Sequence, residues 1–249
     1  MKHFFYFALF FICTSSYAQQ KDVKIEVYYN YVTNFFGTGS EYRINSKLTY
    51  NTEMSIYEMD HTNSILTDST FQAKKNNKVF GVKSKSNTFV FKNFLNNDIF
   101  ATNNIGFSTF YIKGSTNGLF DWKLEKETKE ILGYSCQKAT CDFGGRKYEA
   151  FFTSDINVPN GPWRFHGLPG LILEVKSTDG VFSLTSTDLK ISRSKVVIEN
   201  PYANKKTMSW DDFLLLYRRK YDAMLRNTMT KNGPTGSLSK GGIIQYIYD

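Results

Sequence analysis

The sequence predicts a mainly β protein, β-rich α+β in class, built as an antiparallel meander that forms a curved sheet or partly open barrel with one C-terminal helix. Three observations predict it. Short runs rich in β-branched and aromatic residues alternate apolar with polar side chains, as half-buried strands do. Asn, Asp, Ser, Thr and Gly separate these runs, and no proline occurs before Pro159. A single segment near the end carries apolar residues at helical spacing.

Taken in order, the chain begins with the basic head Met1-Lys2-His3, the unbroken apolar run Phe4 to Cys13, and Ser16-Tyr17-Ala18 with small residues at both ends. This is the layout of a cleaved signal peptide over residues 1–18, and it is about half the length that spans a bilayer. Ile12 stands before Cys13 where lipid attachment wants a small residue, so a lipid anchor is not expected. No later stretch is long and apolar enough for a transmembrane span in the mature chain. Residues 19–249 are expected to form one domain in the periplasm or at the outer envelope, or outside the cell.

Strands follow. Val23 to Val32 places Val23, Ile25, Val27 and Tyr29 on one face. Lys47 to Tyr50, Met54 to Met59, Lys78 to Val82, Thr88 to Phe91, Phe107 to Lys113 and Asp121 to Glu127 continue the series. Leu132 to Phe143 and Lys147 to Thr153 flank Gly144-Gly145-Arg146 as a hairpin, and Leu171 to Lys176 and Val181 to Leu189 flank Asp179-Gly180, a strong two-residue hairpin signal. Ser209 then caps a helix over about 209–230, with Asp211 and Asp212 in its first turn. Phe213, Leu216, Tyr217, Met224 and Leu225 mark its apolar face, which is expected to pack on the sheet. Lys231 to Gly242 reads as a loop and Ile243 to Tyr248 as a last strand or a loose end.

The formal net charge is +8, with the lysines scattered rather than interleaved with aromatic residues. That pattern, together with export, argues against nucleic acid as a partner. Only Cys136 and Cys141 follow the leader. On one strand they stand about 16 Å apart at ~3.3 Å per residue, too far for a disulfide, so both are expected to be unpaired.

Gly161 to Leu173 holds three Gly and two Pro within thirteen residues. Pro169 suits the second position of a tight turn and Gly170 the positive φ that a type II turn needs next. Trp163, Arg164, Phe165 and His166 lie between the two turns and are the speculative binding residues. Strand-like alternation would turn Trp163 and Phe165 inward and Arg164 and His166 to solvent. Gly167, Leu168, Pro169, Gly170, Leu171 and Ile172 are read as a structural turn leading into a strand.

These residues carry a resemblance. Asp121-Trp122-Lys123-Leu124, Gly133-Tyr134-Ser135-Cys136-Gln137-Lys138-Ala139, Gly145-Arg146 before Phe151-Phe152-Thr153, and Gly167 to Ile172 appear in the order of the GLPGLI family of exported Bacteroidota proteins. The specific part covers about residues 121 to 176, with Phe152 where the family pattern has tryptophan. The resemblance implies no catalytic or binding residue, because that family has no established activity.

Two histidines, His61 and His166, remain after the leader, and neither H-E-x-x-H nor a G-x-S-x-G elbow is present. No catalytic residue, metal or cofactor is therefore predicted. A His166-based triad or a Cys136–His166 pair would be needed for a hydrolase, the second alternative. Aromatic residues make up 16% of the chain. In a curved sheet they would line a cleft, so the leading expectation is a binding module or carrier for an apolar or lipid-like ligand. The first alternative is an interaction module that docks on an outer-membrane assembly.

Overall fold

The computed structural model describes residues 23–35, 40–68, 78–82, 86–105 and 108–229. The signal peptide expected over 1–18, the loop expected over 231–242 and the strand expected over 243–248 lie outside the described residues. Thirteen strands and one helix follow in chain order: β1 (Lys24–Phe35), β2 (Ser40–Tyr50), β3 (Met54–Asp68), β4 (Lys78–Val82), β5 (Thr88–Asn93), β6 (Asp98–Ile105), β7 (Ser108–Ser115), β8 (Lys123–Ile131), β9 (Tyr134–Phe143), β10 (Arg146–Thr153), β11 (Leu171–Ser177), β12 (Phe182–Ser192), β13 (Thr207–Ser209) and α1 (Trp210–Met229). The protein is mainly β, an antiparallel curved sheet with one C-terminal helix, as its residues predict.

The strands form one sheet in the order β13-β7-β6-β5-β3-β2-β1-β12-β11-β10-β9-β8, with β4 on β3 outside this path. Among the described strands, only β13 runs parallel to its neighbour, β7. The order ends at β13 and β8, so the described sheet stays open. Two-residue turns set its hairpins: Leu132-Gly133 (φ 53° and 80°) joins β8 to β9, and Gly144-Gly145 (φ 59° and 70°) joins β9 to β10. Both residues of each turn have positive φ, the geometry whose twist matches that of the flanking strands.

Period-two alternation builds the core. Val27, Leu48, Tyr57, Val90, Ala101 and Ile112 pair across six neighbouring strands, and all six side chains are buried. The sheet must bend around them. β5 and β10 lie six strand spacings apart in the order, about 29 Å if flat at ~4.8 Å each. Yet the Lys92 ammonium of β5 donates to the Phe165 carbonyl at 2.9 Å, and the Phe165 ring packs on Tyr148 of β10 at 5.2 Å between centroids. One residue bridges both flanks of the sheet.

β6 and β13 escape the sequence reading, as do the first half of β2 and the last half of β3. Their residues, such as Thr102-Asn103-Asn104 and Thr62-Asn63-Ser64, carry turn chemistry, and cross-strand pairing overrides it. In α1, Ser209 Oγ accepts the Asp212 amide at 3.1 Å, as an N-cap does. The helix packs its buried Phe213 and half-buried Leu216 and Tyr217 beside β7 and β13. The side chains of Met224 and Leu225 lie outside the description.

Candidate functional site

Segment 154–170 fills the concave side of the sheet. The expected outward turn of Arg164 and His166 needs correction: Trp163, Arg164, Phe165 and His166 are all buried, with Arg164 2% and His166 6% exposed. Alternation fails because the chain is not extended there. Trp163 takes φ +48°, and the Phe165 amide donates back to the Pro162 carbonyl at 3.0 Å. The reading of Gly170 is corrected too. Gly167 takes the positive φ (+89°), whereas Gly170 has no positive φ and is held by close approach to β10.

Lys92 organises this plug. It is fully buried, and its ammonium donates to Asn160 Oδ1 (2.8 Å), the Gly161 carbonyl (2.9 Å) and the Phe165 carbonyl (2.9 Å). Three donors meet three acceptors, which is all an ammonium offers. Burial, then the Arg164 charge, hold Lys92 well below the usual lysine range. The Arg164 guanidinium lies 4.2 Å from the Trp210 ring centroid, tying the plug to α1. Trp122 Nε1 donates to the His166 carbonyl at 2.8 Å. The four speculative binding residues therefore come together, but as interior packing.

His166 is sandwiched between carbonyls, with Nδ1 2.7 Å from the Arg164 oxygen and Nε2 2.7 Å from that of Thr116. Burial first, then the Lys92 charge, push its pKa down from 6.5 to about 4, against the pull of the Thr116 and Arg164 carbonyls, which favour a ring N–H on each nitrogen. The unfolded chain therefore takes up a proton between pH 6.5 and 4 that the native ring refuses, and stability falls on acidification. Moving from pH 7 to 4.5 is expected to cost about 2–3 kcal/mol through this ring, at 1.36 kcal/mol per pKa unit. Urea unfolding at both pH values checks it: His166→Gln should lose less stability than the parent, and an equal loss would refute the assignment.

Cys136 and Cys141 are buried and unpaired, and burial pushes their thiols up to about 11 and about 12. Such thiols are poor nucleophiles at neutral pH. Among the described residues no three His, Cys, Asp or Glu side chains gather as a metal site.

The exposed chemistry lies on the opposite face. One residue out of step with the buried row, Tyr28, Lys47, Glu58 and Phe89 pair across β1, β2, β3 and β5, and Thr102 pairs with Tyr111 across β6 and β7. Period two therefore sends them all outward. Between Arg43 and Asn45 of β2 the register jumps, leaving 61–64 of β3 as a bulge that displays His61 and Thr62. Tyr202, from the segment after β12, stacks on Phe100 at 5.8 Å and hydrogen-bonds the Phe89 carbonyl, forming a wall over this face.

Two hollows result. One, of about 320 Å³, is bordered by His61, Asn87, Thr102, Asn104, Tyr111 and Lys205. The other, of about 380 Å³, is bordered by Tyr28, Asn45, Lys47, Glu58, Asp60 and Asn87. They meet at Asn87, whose Nδ2 donates to Glu58 Oε1 at 2.7 Å and whose Oδ1 accepts the His61 amide at 3.2 Å. Hydrogen bonds from Thr62 and Asn63 hold the Asp60 carboxyl below its usual range, so it stays ionised and accepts hydrogen bonds. Apart from His61, none of these residues stood out in the sequence, because they come from five strands, from the residue before β5 and from the segment after β12, with no motif spacing. Their one signal was Asn and Thr density inside strands.

Residues 41–218 match the family described as N-glycanase peptide, N-terminal domain. Among solved structures, PNGF-II in its C2 crystal form is similar at 20% identity and TM-score 0.47, over 79% of this chain and 32% of that one. Its P21 form gives 19% identity and TM-score 0.45, over 78% and 34%. The chain thus spans about a third of those proteins. No curated protein matches.

Proposed function

From the premise that the chain belongs to the N-glycanase peptide, N-terminal domain family, we propose that it is an exported binding module that holds an oligosaccharide in the outer-face groove. The carrying observation is the pair of hollows joined at Asn87. Carboxylates and amides suit the paired hydroxyls of a sugar, while Tyr28 and Tyr111 offer ring faces to its C–H faces. The binding half of the sequence expectation is kept in this proposal, and the ligand changes from apolar to polar. That change is supported by the core, where Tyr29, Tyr57, Tyr148, Phe165 and Phe182 fill the concave side. The family's name supplies the glycan. Export, and the likeness of residues 121 to 176 to GLPGLI proteins, belong to the same proposal.

Binding is favoured over a His166-based hydrolase because both ring nitrogens of His166 face carbonyls inside the core, away from the groove. Titration of the ¹⁵N-labelled protein with a free neutral biantennary N-glycan is expected to shift amides around Tyr28, Asn87 and Tyr111. Asn87→Ala should weaken binding about tenfold, or ~1.4 kcal/mol. Unmoved groove amides at millimolar glycan would defeat the reading.

A further inference from the structure

We propose that the groove is polarised, and that its Lys205 end receives an anionic group carried on the saccharide. This deepens the preceding reading and rests on it. The hollow beside Asp60 contains two carboxylates, Glu58 and Asp60, with one lysine, Lys47. Among the described residues, the hollow beside Tyr202 is bordered by Lys205 and by no carboxylate. Lys205 is placed rather than loose at its base. Its amide donates to the Tyr202 carbonyl at 3.0 Å, and its ammonium lies 5.3 Å from the Tyr111 ring centroid. Among the described residues it has no acidic partner, whereas Lys113, on the next rung of β7, is engaged by Asp98 at 3.1 Å.

His61 adds no charge at neutral pH, because burial holds it below the usual imidazole range. It hydrogen-bonds Thr88 Oγ1 through Nε2 at 2.7 Å and so shapes the floor. Across the same floor, Asn104 of β6 pairs with Thr109 of β7. Both are exposed hydrogen-bonding side chains that border the hollow. Amide and hydroxyl donors around one ammonium match a carboxylate or sulfate oxygen. At the far end, ionised Asp60 repels such a group and accepts hydroxyl protons instead. A glycan chain with an acidic terminus fits in one direction only.

The test uses three probes on the full mature chain by isothermal titration: a neutral biantennary N-glycan, its sialylated form, and a sulfated form. The sialylated or sulfated glycan is expected to bind about fivefold tighter than the neutral one, the size of a partly exposed charge pair. This advantage should shrink as salt rises from 0.05 to about 0.5 M. Lys205→Gln should remove the advantage, so that the variant binds all three probes with one affinity. A preference shown for either anion supports the inference, and comparing the two identifies the group. Equal binding of all three probes would overturn it and leave the module intact. So would an acidic preference that survives Lys205→Gln. Failure of every probe to bind would remove both readings together.

Discussion

Gly170→Ala is expected to abolish folding, or to cost at least about 4 kcal/mol, the range reserved for changes that force backbones apart. A Cβ built at this position meets the Thr153 carbonyl oxygen at 2.1 Å and its carbon at 2.7 Å. These are backbone atoms of β10, which cannot rotate aside as a side chain would. The last strand residue before the plug and the last plug residue before β11 are thus pressed together, and only hydrogen fits between them. Gly180→Ala is the control, since nothing lies within 4 Å of its Cβ and only its φ of +73° resists substitution. That change should cost about 1 kcal/mol. Urea midpoints of the two variants give the comparison, and a Gly170→Ala protein within 1 kcal/mol of the parent would contradict the close approach.

Lys92→Ala is expected to lose about 4–5 kcal/mol, combining three abandoned buried acceptors with a cavity where the stem had been. Asn160 Oδ1 and the carbonyls of Gly161 and Phe165 would be left without their ammonium. Lys92→Met should be milder, by about 1–2 kcal/mol, because it refills the stem volume and removes a desolvated charge. The order is the diagnostic result: alanine worse than methionine, and both worse than the parent. The indole emission of Trp122 and Trp163 should shift to the red in the alanine variant, reporting water in the plug. Equal stability of parent and Lys92→Ala would show that the ammonium does not hold segment 154–170 in place.

Much of this architecture is written in local pattern. The Val23 to Val32 alternation foretells the buried Ile25, Val27 and Tyr29, and the Ser209 cap foretells where the helix begins. Gly144-Gly145 marks its hairpin because two adjacent positive φ values exclude most other residues. The Asp179-Gly180 hairpin is legible too, though its connection runs over 178–181 rather than two residues. Long-range contacts are what local pattern omits. Lys92 lies 73 residues from Phe165, so nothing around either residue reveals that a lysine in a strand is the plug's anchor. Arg164 and His166 read as surface residues because charge normally seeks water, and only their enclosure by Trp210, Phe120 and Thr116 reverses that. The groove was invisible for the same reason, being assembled from several strands and from segments before β5 and after β12.

The pairing of β1 with β12 has a consequence for biogenesis. Lys24 meets Ser192 and Thr33 meets Phe182, so one margin of β1 waits for nearly 150 residues of chain to follow it before its partner exists. During synthesis the nascent β1–β2 hairpin must therefore carry an unmated row of amides and carbonyls, a template for association with other chains. Closure of this long loop is the step that should set the pace of folding.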